Sequence, residues 1–265
     1  MTWFLDQLGR FENGAVVFAA FAVVGIAITI AIDAALHRWL PDPVRARAGG
    51  TAAWVLSVLA TLYAVLTAFV IVDEYGQLQS TQDAVSDKAA ALSSISENSR
   101  AFPSDERQAI QNASVAYATE VVDVGFPDLS ESGQLPRSVD ESLEQLFGEV
   151  QSIEPESRSE VAFYDQIVVN LDRVVDTRNT LVTASRQTVP NALVVVLVIN
   201  GLTLILIASL LDTQHRRSHL FILSALALTV ALSLGLVVSL DQPFDGVIRV
   251  NDQPMEDFID LRSER

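Results

Sequence analysis

Cysteine is missing from this 265-residue sequence. Disulfide bonds, thiolate nucleophiles and cysteine-ligated metal centres are therefore excluded. Lysine occurs once, at Lys88, so arginine supplies nearly all of the 17 basic residues. Glycine-rich phosphate-binding loops are also missing, and no pair of nucleophile and base is recognisable. The sequence therefore predicts no catalytic residue and no cofactor.

Positive charge is scarce as a whole. The 33 acidic residues give a formal net charge of -16 and a pI near 4.4. A protein that binds nucleic acid needs clustered lysine and arginine to neutralise phosphates, so no nucleic-acid partner is expected. Half of the residues are nevertheless hydrophobic. Apolar and charged residues must therefore lie in separate parts of the chain.

Four apolar blocks account for this separation. Each has about the 20 residues that a helix needs to cross a bilayer. They cover residues 15–36, 51–72, 191–211 and 220–240. Asp33 is the one charge inside them, and the acidic residues Asp6 and Glu12 before the first block do not fit a signal peptide. The sequence predicts an all-α membrane protein with four transmembrane helices in two pairs, surrounded by the lipid bilayer.

Basic residues lie in the two short loops within these pairs, and short basic loops stay in the cytoplasm. The middle segment and both termini are therefore expected outside the cytoplasm. The two loops contain His37, Arg38, Arg45 and Arg47, and His215, Arg216, Arg217 and His219. His215 and His219 have the spacing of a helical metal pair, but the arginines between them repel cations, so no metal is expected.

The middle segment reads as an acidic helical domain inserted between the pairs. Its first apolar positions continue the second membrane helix with three-and-four spacing: Val85, Ala89, Leu92 and Ile95. The second and third membrane helices are expected to extend as stalks beyond the bilayer. The resulting divisions are 1–73 and 190–241 for the helix pairs, 74–189 for the helical domain and 242–265 for the tail.

Local signals divide the domain further. Ser104 is a candidate N-cap for a helix through Val124, and the proline- and glycine-containing stretch 125–137 reads as a loop. Ser138–Glu141 matches a capping box that opens a short helix. A long helix is expected after Pro155.

Polar residues lie within the apolar blocks, and two interpretations of them stay open. They are Ser57, Thr61, Tyr63 and Thr67 in the second block, Asn200 and Thr203 in the third, and Ser224, Thr229, Ser233 and Ser239 in the fourth. Small and hydroxylated residues let membrane helices pack closely. The same residues could line a watery path with an apolar constriction, which would require an oligomer because four helices enclose little space.

Two segments resemble a widespread prokaryotic membrane family described as bestrophin-like. Residues 63–69 fit its Tyr-Ala-x-Leu-x-x-Phe pattern in the second helix. Residues 240–246 fit its closing Leu-Asp-x-Pro-Phe-x-Gly pattern, which contains Asp241, Pro243, Phe244 and Gly246. The resemblance extends over residues 50–258. The sequence departs from the family at Lys88, where an acidic residue is usual, at Phe126, where tryptophan precedes the proline, and at Thr180, where a basic residue is usual.

The resemblance implies a homo-oligomeric anion channel whose second helix lines a narrow apolar neck. Transferred to this sequence, the pore-lining residues are Tyr63, Leu66, Thr67, Phe69, Val70 and Asp73. It also implies inorganic ions as the transported species, and a topology opposite to that indicated by the arginines. Acidic residues at Asp73 and Glu74 would favour cations at one mouth, so selectivity stays open.

The closing pattern also has a structural interpretation. Asp241 and Pro243 would end the fourth helix, Phe244 would anchor at the membrane interface, and Gly246 would permit a turn into the strand-like run 247–250. The main alternative to a channel is a non-conducting sensor or scaffold that displays the helical domain. The expected stalk helices and the lack of an evident buried charged relay favour this alternative. An enzyme acting within the membrane has the least support.

Overall fold

The computed structural model describes residues 2–40, 42–211, 216–241, 243–244 and 248–263, and only the backbone of residues 2–15, 42–48 and 263. Every regular element in these ranges is helical. The α-helices are α1 (Thr2–Trp39), α2 (Asp42–Asn98), α3 (Ser104–Glu120), α4 (Phe126–Ser132), α5 (Arg137–Gln151), α6 (Arg158–Arg186), α7 (Asn191–Ala208), α8 (Arg216–Leu240) and α9 (Gln253–Ser263). A 3₁₀ turn, Ser99–Ala101, follows α2, and a π-helical turn, Val121–Gly125, follows α3.

Four helices, α1, α2, α7 and α8, are long and apolar enough to cross a membrane. The predicted all-α class with four apolar helices is therefore confirmed. The 57 residues of α2 make it about 85 Å long at about 1.5 Å per residue. A hydrocarbon core is only about 30 Å thick, so the uncharged residues 51–72 suffice to cross it, and α2 is longer than one crossing requires.

The chain divides into two compact units. Unit 1 contains Met1–Tyr75 and Val189–Asp241. Within it α1 packs along α8 at glycine positions. A Cβ on Gly25 would lie only 2.8 Å from Cβ of Ala231, and one on Gly235 would lie 3.2 Å from the ring of Phe18. Missing side chains at these points let the two helix backbones approach closely.

The second helix joins unit 1 through larger side chains. Tyr63 and Val70 of α2 belong to a buried cluster with Leu197 and Leu204 of α7 and Val230 of α8. One face of the apolar part of α2 is therefore buried inside unit 1.

Unit 2 contains Gly76–Thr188 and Gln242–Arg265. Helix α3 packs on both α5 and α9. The core is formed by fully buried side chains from most of the helices: Leu92, Ile95, Ile110, Leu146, Ile167 and Met255. The apolar spacing that predicted a continuation of the second helix is confirmed, because Val85, Leu92 and Ile95 are buried here.

The predicted loop 125–137 was wrong in its first half, which forms α4. Pro127 lies in the first turn of this helix, where a missing backbone N–H costs nothing. The chain leaves the helix at Gly133, whose φ of 65° favours glycine. The predicted strand was also wrong, since Ile248–Val250 form no strand; instead the N–H of Val250 donates to the carbonyl of Pro243 at 2.8 Å.

The predicted caps were misplaced. Helix α5 begins at Arg137 with Pro136 as N-cap and no capping side chain, so Ser138 opens no box. The capping box is at Ser157 and Glu160, before α6. The N–H groups of Glu156 and Ser157 there lower the pKa of the Glu160 carboxyl. Pro136 has an extended ψ of 158° and serves as the N-cap, so α5 begins two residues before the predicted position.

The same effect applies to α3, where Pro103 and not Ser104 is the N-cap. The α-helix ends at Glu120, and the π-helical turn replaces its predicted last residues.

Candidate functional site

One face of α2 in unit 1 is apolar and uncovered. Six large side chains are between 42% and 73% exposed and follow one another at intervals of three and four residues: Val55, Val58, Leu62, Val65, Phe69 and Val72. This spacing places them along one side of the helix. We call these six residues the outer stripe. Asp73 is also exposed and directly follows it.

The predicted pore-lining residues fall on two faces of α2. Phe69 and Asp73 are exposed, whereas Tyr63, Thr67 and Val70 are buried inside the protomer. Leu66 is partly buried and packs against the same cluster as Tyr63. Their role in a pore stays a prediction, and within the protomer the buried residues hold α2 against its neighbours.

Small residues run beside the outer stripe. They are all exposed and lie at intervals of four and three residues: Ser57, Thr61, Ala64 and Ala68. The hydroxyl of Thr61 donates to the carbonyl of Ser57 at 2.9 Å, so it needs no partner elsewhere. Another helix can therefore approach this side of α2 closely.

Acidic groups gather where the outer stripe ends. Burial, then Asp241 and Asp73, raise the pKa of the Glu74 carboxyl. The backbone N–H of Val189 donates to the Asp241 carboxylate. Asp241 thereby ties the end of α8 to the segment that precedes α7. The predicted role of Asp241 at the end of the fourth helix agrees with this position, because α8 ends at Leu240.

A second cluster surrounds Asp33 of α1, whose side chain is almost completely buried. Nε2 of His219 in α8 lies 3.0 Å from its Oδ1, and Nδ1 of His37 lies 3.3 Å from the same oxygen. The His37 Nδ1–H also donates to the Asp33 carbonyl at 2.9 Å. The two imidazole rings meet edge to face, with centroids 6.2 Å apart.

This cluster corrects two expectations. His37 and His219 belong to helices, not loops, and a buried carboxylate does exist among the apolar helices. The sequence indicates part of this cluster, since Asp33 and His37 are four residues apart. It does not indicate the contact with His219. His215 lies outside the described residues. Among those described, no group of three or more potential ligands is arranged to hold a metal ion.

We expect Asp33→Ala to lower the free energy of unfolding by about 2 kcal/mol, because it leaves the buried His219 ring without its acceptor. Thermal unfolding of the purified protein in detergent measures the effect. His37→Ala is the control, since the His37 side chain is 30% exposed and its loss should cost less. Equal unfolding temperatures for Asp33→Ala and the native chain would contradict the expectation.

The closing pattern lies partly in unit 2. The rings of Phe244 and Phe126 stack with centroids 6.1 Å apart. Anchoring of Phe244 at the membrane interface stays a prediction. Pro243 is buried. A cavity of about 370 Å³ lies beside the ring pair. Gly246 lies outside the described residues. The stacked rings connect two segments far apart in the chain, which sequence spacing does not reveal.

Comparisons with known proteins agree on one family. The model of a family described as "Bestrophin-like domain" matches residues 21–255. Among solved structures, two variants of a bacterial bestrophin homologue from Klebsiella pneumoniae each give a TM-score of 0.70 at 13% identity. The alignments cover 95% of this chain and 96% of the first variant, and 93% of this chain and 97% of the second. No curated protein matches the chain in sequence.

Proposed function

Because the chain belongs to the bestrophin-like family, we propose that it forms a homo-oligomeric ion channel in the plasma membrane, with α2 lining the path of the ions. Bestrophins are ion channels. The observation that carries the proposal is the outer stripe, a row of large apolar side chains that the protomer itself leaves uncovered.

The outer stripe suits an apolar neck. Intervals of three and four residues keep it on one side of α2 over its membrane part, so copies of α2 around a common axis would present rings of the same residues. Phe69 is the bulkiest of the six and 73% exposed, which makes it the narrowest ring. Apolar rings of this kind control ions by excluding water. The remaining predicted pore residues of the membrane part would pack inside the subunit and support α2 from behind the neck: Tyr63, Leu66, Thr67 and Val70.

The small residues beside the outer stripe support assembly. Ser57, Thr61, Ala64 and Ala68 present little bulk, so α2 of one subunit could approach a helix of the next. We propose that unit 1 is the membrane part, with α1 and α2 as one pair in chain order and α7 and α8 as the other, while α1 packs along α8. The helical domain between the pairs, together with the tail, would form a separate part of the channel.

Charge at the mouth bears on selectivity. Family resemblance implies anions, whereas Asp73 at the end of the outer stripe would attract cations. Because the pKa of the Glu74 carboxyl is raised, this group loses its negative charge at a higher pH than an ordinary glutamate and then repels anions less. Reversal potentials in chloride, sodium and potassium gradients measure the selectivity directly.

Orientation follows from the arginines in our proposal. Arg38 at the end of α1 and Arg216 and Arg217 at the start of α8 are exposed, which supports a cytoplasmic position for these helix ends. The domain and both termini would then lie outside it. Single cysteines at Gln134 and Arg217, in a chain with no native cysteine, would be labelled from opposite sides. Labelling of Gln134→Cys from the cytoplasm would establish the bestrophin topology instead.

The test of the channel is reconstitution of the full-length protein in planar lipid bilayers. We expect ion currents from an oligomer and none from empty bilayers. Silence in all three gradients, with an intact oligomer by mass measurement, would contradict the proposal. A silent oligomer that cross-links to one consistent partner would favour the alternative of a sensor or scaffold.

A further inference from the structure

Lys88, the only lysine in the chain, is completely buried in unit 2. Its Nζ has no hydrogen-bond partner among the described residues. The ring of Tyr117 offers a cation–π contact, with its centroid 5.6 Å from Nζ. An ammonium group buried without an anion is costly, because the charge loses its hydration. This position is unlike an ordinary core position and unlike an ordinary surface lysine.

Groups from two other helices act on Lys88: the ring of Tyr117 from α3 and the charge of Arg178 from α6. Arg178 in turn binds Asp140 of α5. Nε of Arg178 donates to Oδ1 of Asp140 at 3.0 Å, and its Nη2 donates to the same oxygen. The carboxylate of Asp140 is thus already bound to Arg178. The positive charge of Arg178 opposes a second one on Lys88.

Tyr117 supplies no negative charge to this junction. Its side chain is completely buried, and its hydroxyl has no partner among the described residues. Burial raises the pKa of the Tyr117 hydroxyl, so the group stays neutral. The amine of Lys88 has two ways to avoid an isolated charge. It can give up its proton inside the core, or it can reach water.

Burial and the charge of Arg178 lower the pKa of Lys88 from 10.5 to about 7. The amine therefore exchanges its proton near neutral pH in the packed form, whereas a hydrated lysine does so near 10.5. The structure shows the junction packed around the amine, which suits a neutral Lys88. A hydrated ammonium would require the junction to open.

We propose that Lys88 is a proton-binding site that couples the packing of unit 2 to pH: the neutral amine keeps α2, α3, α5 and α6 packed around it, and protonation favours an opened form in which the ammonium is hydrated. The proposal concerns unit 2 alone and stands whether or not the protein conducts ions.

The direction of the effect follows from proton linkage. The opened form binds a proton below pH 10.5, but the packed form does so only below about pH 7. Opening therefore becomes about tenfold more favourable for each pH unit lost between these values, and it changes no further below pH 7. The packed form is therefore most stable at alkaline pH.

The first experiment titrates Lys88 itself. Full-length protein in nanodiscs, grown with lysine labelled with ¹³C at Cε, gives one lysine signal because the chain has one lysine. We expect its shift to change with a midpoint near pH 7. A midpoint near that of free lysine would overturn the proposal. Arg178→Gln should raise the midpoint, because it removes the like charge.

The second experiment measures opening. Amide hydrogen exchange in α3 and α6, corrected for the intrinsic pH dependence, gives the opening constant between pH 7 and pH 9. We expect the opening constant to fall about tenfold for each unit of rising pH in the native chain and to stay constant in Lys88→Met. Lys88→Arg, which keeps its charge, should open readily throughout. If this arginine variant fails to fold, the comparison with Lys88→Met still decides, and equal slopes in the two chains would overturn the proposal.

Discussion

Lys88→Met is expected to stabilise the folded protein by about 3–5 kcal/mol at pH 7. The shift of the Lys88 pKa from 10.5 to about 7 measures the cost of burying its charge, at about 1.4 kcal/mol per pKa unit. Methionine has a similar length, carries no charge and adapts its shape to the site. Replacing a buried charge with an apolar side chain of similar volume is often stabilising.

The stability gained by Lys88→Met should depend on pH. Stability that the native chain has above pH 10.5 is lost as the pH falls to about 7, since the unfolded chain takes up a proton in this range and the folded chain does not. The advantage of the methionine variant should therefore shrink between pH 7 and pH 10. Denaturant unfolding in detergent at both pH values measures it.

Ala90→Met is the matched control, because Ala90 lies on the same helix but is exposed. It should change the free energy of unfolding by less than about 0.5 kcal/mol. A methionine at position 88 that lowers the stability at pH 7 would show that the lysine is compensated in the folded protein.

Phe69→Ala is expected to raise the single-channel conductance about tenfold. The ring is the largest in the outer stripe, and removing it from every subunit widens the proposed neck. Tenfold corresponds to a barrier lower by about 1.4 kcal/mol. Because the side chain is 73% exposed, the protomer should fold without it. Recordings of the purified variant in planar bilayers measure the conductance.

Two variants separate the neck from general effects of lost bulk. Phe221 is 76% exposed on α8, so Phe221→Ala removes an equally uncovered ring from another helix and should leave the conductance unchanged. Val70→Ala lies next to Phe69 but faces the protomer core, and its main effect should be lower stability. Native conductance in Phe69→Ala would place the neck elsewhere on the protein.

The membrane helices were predictable because their signal is one-dimensional. An uncharged run of about 20 residues identifies a spanning helix without any knowledge of its neighbours. The continuation of α2 beyond the membrane was predictable for a related reason. Val85, Leu92 and Ile95 alternate with polar residues at helical intervals, so the sequence itself distinguishes the inner from the outer face.

The faces of α2 inside the membrane were not predictable in this way. Residues 51–72 are apolar all round, so their periodicity carries little information about which side meets another helix. Contact with α7 decides that Tyr63 and Val70 are covered and that Phe69 is not. The predicted pore-lining set therefore mixed both faces.

Long-range contacts were missed for a different reason. Asp33 and His219 are 186 residues apart, and no local pattern connects them. Lys88 was recognised as unusual for the family, but only the fold shows that its amine is buried beside Tyr117 and near the charge of Arg178. The loop predicted at residues 125–137 was wrong in its first half because Pro127 fits the first turn of α4 as well as it fits a loop.

The composition of unit 2 has a consequence for biosynthesis. Its core is completed by α9, where Met255 and Phe258 are buried and which packs on α3. The ribosome must therefore translate about 70 further residues after Thr188, including α7 and α8, before the unit can close. At about 5–20 residues per second, this leaves apolar surface of a half-built domain uncovered for roughly 4–14 s. A nascent chain stalled after α8 should be a good substrate for chaperones and proteases.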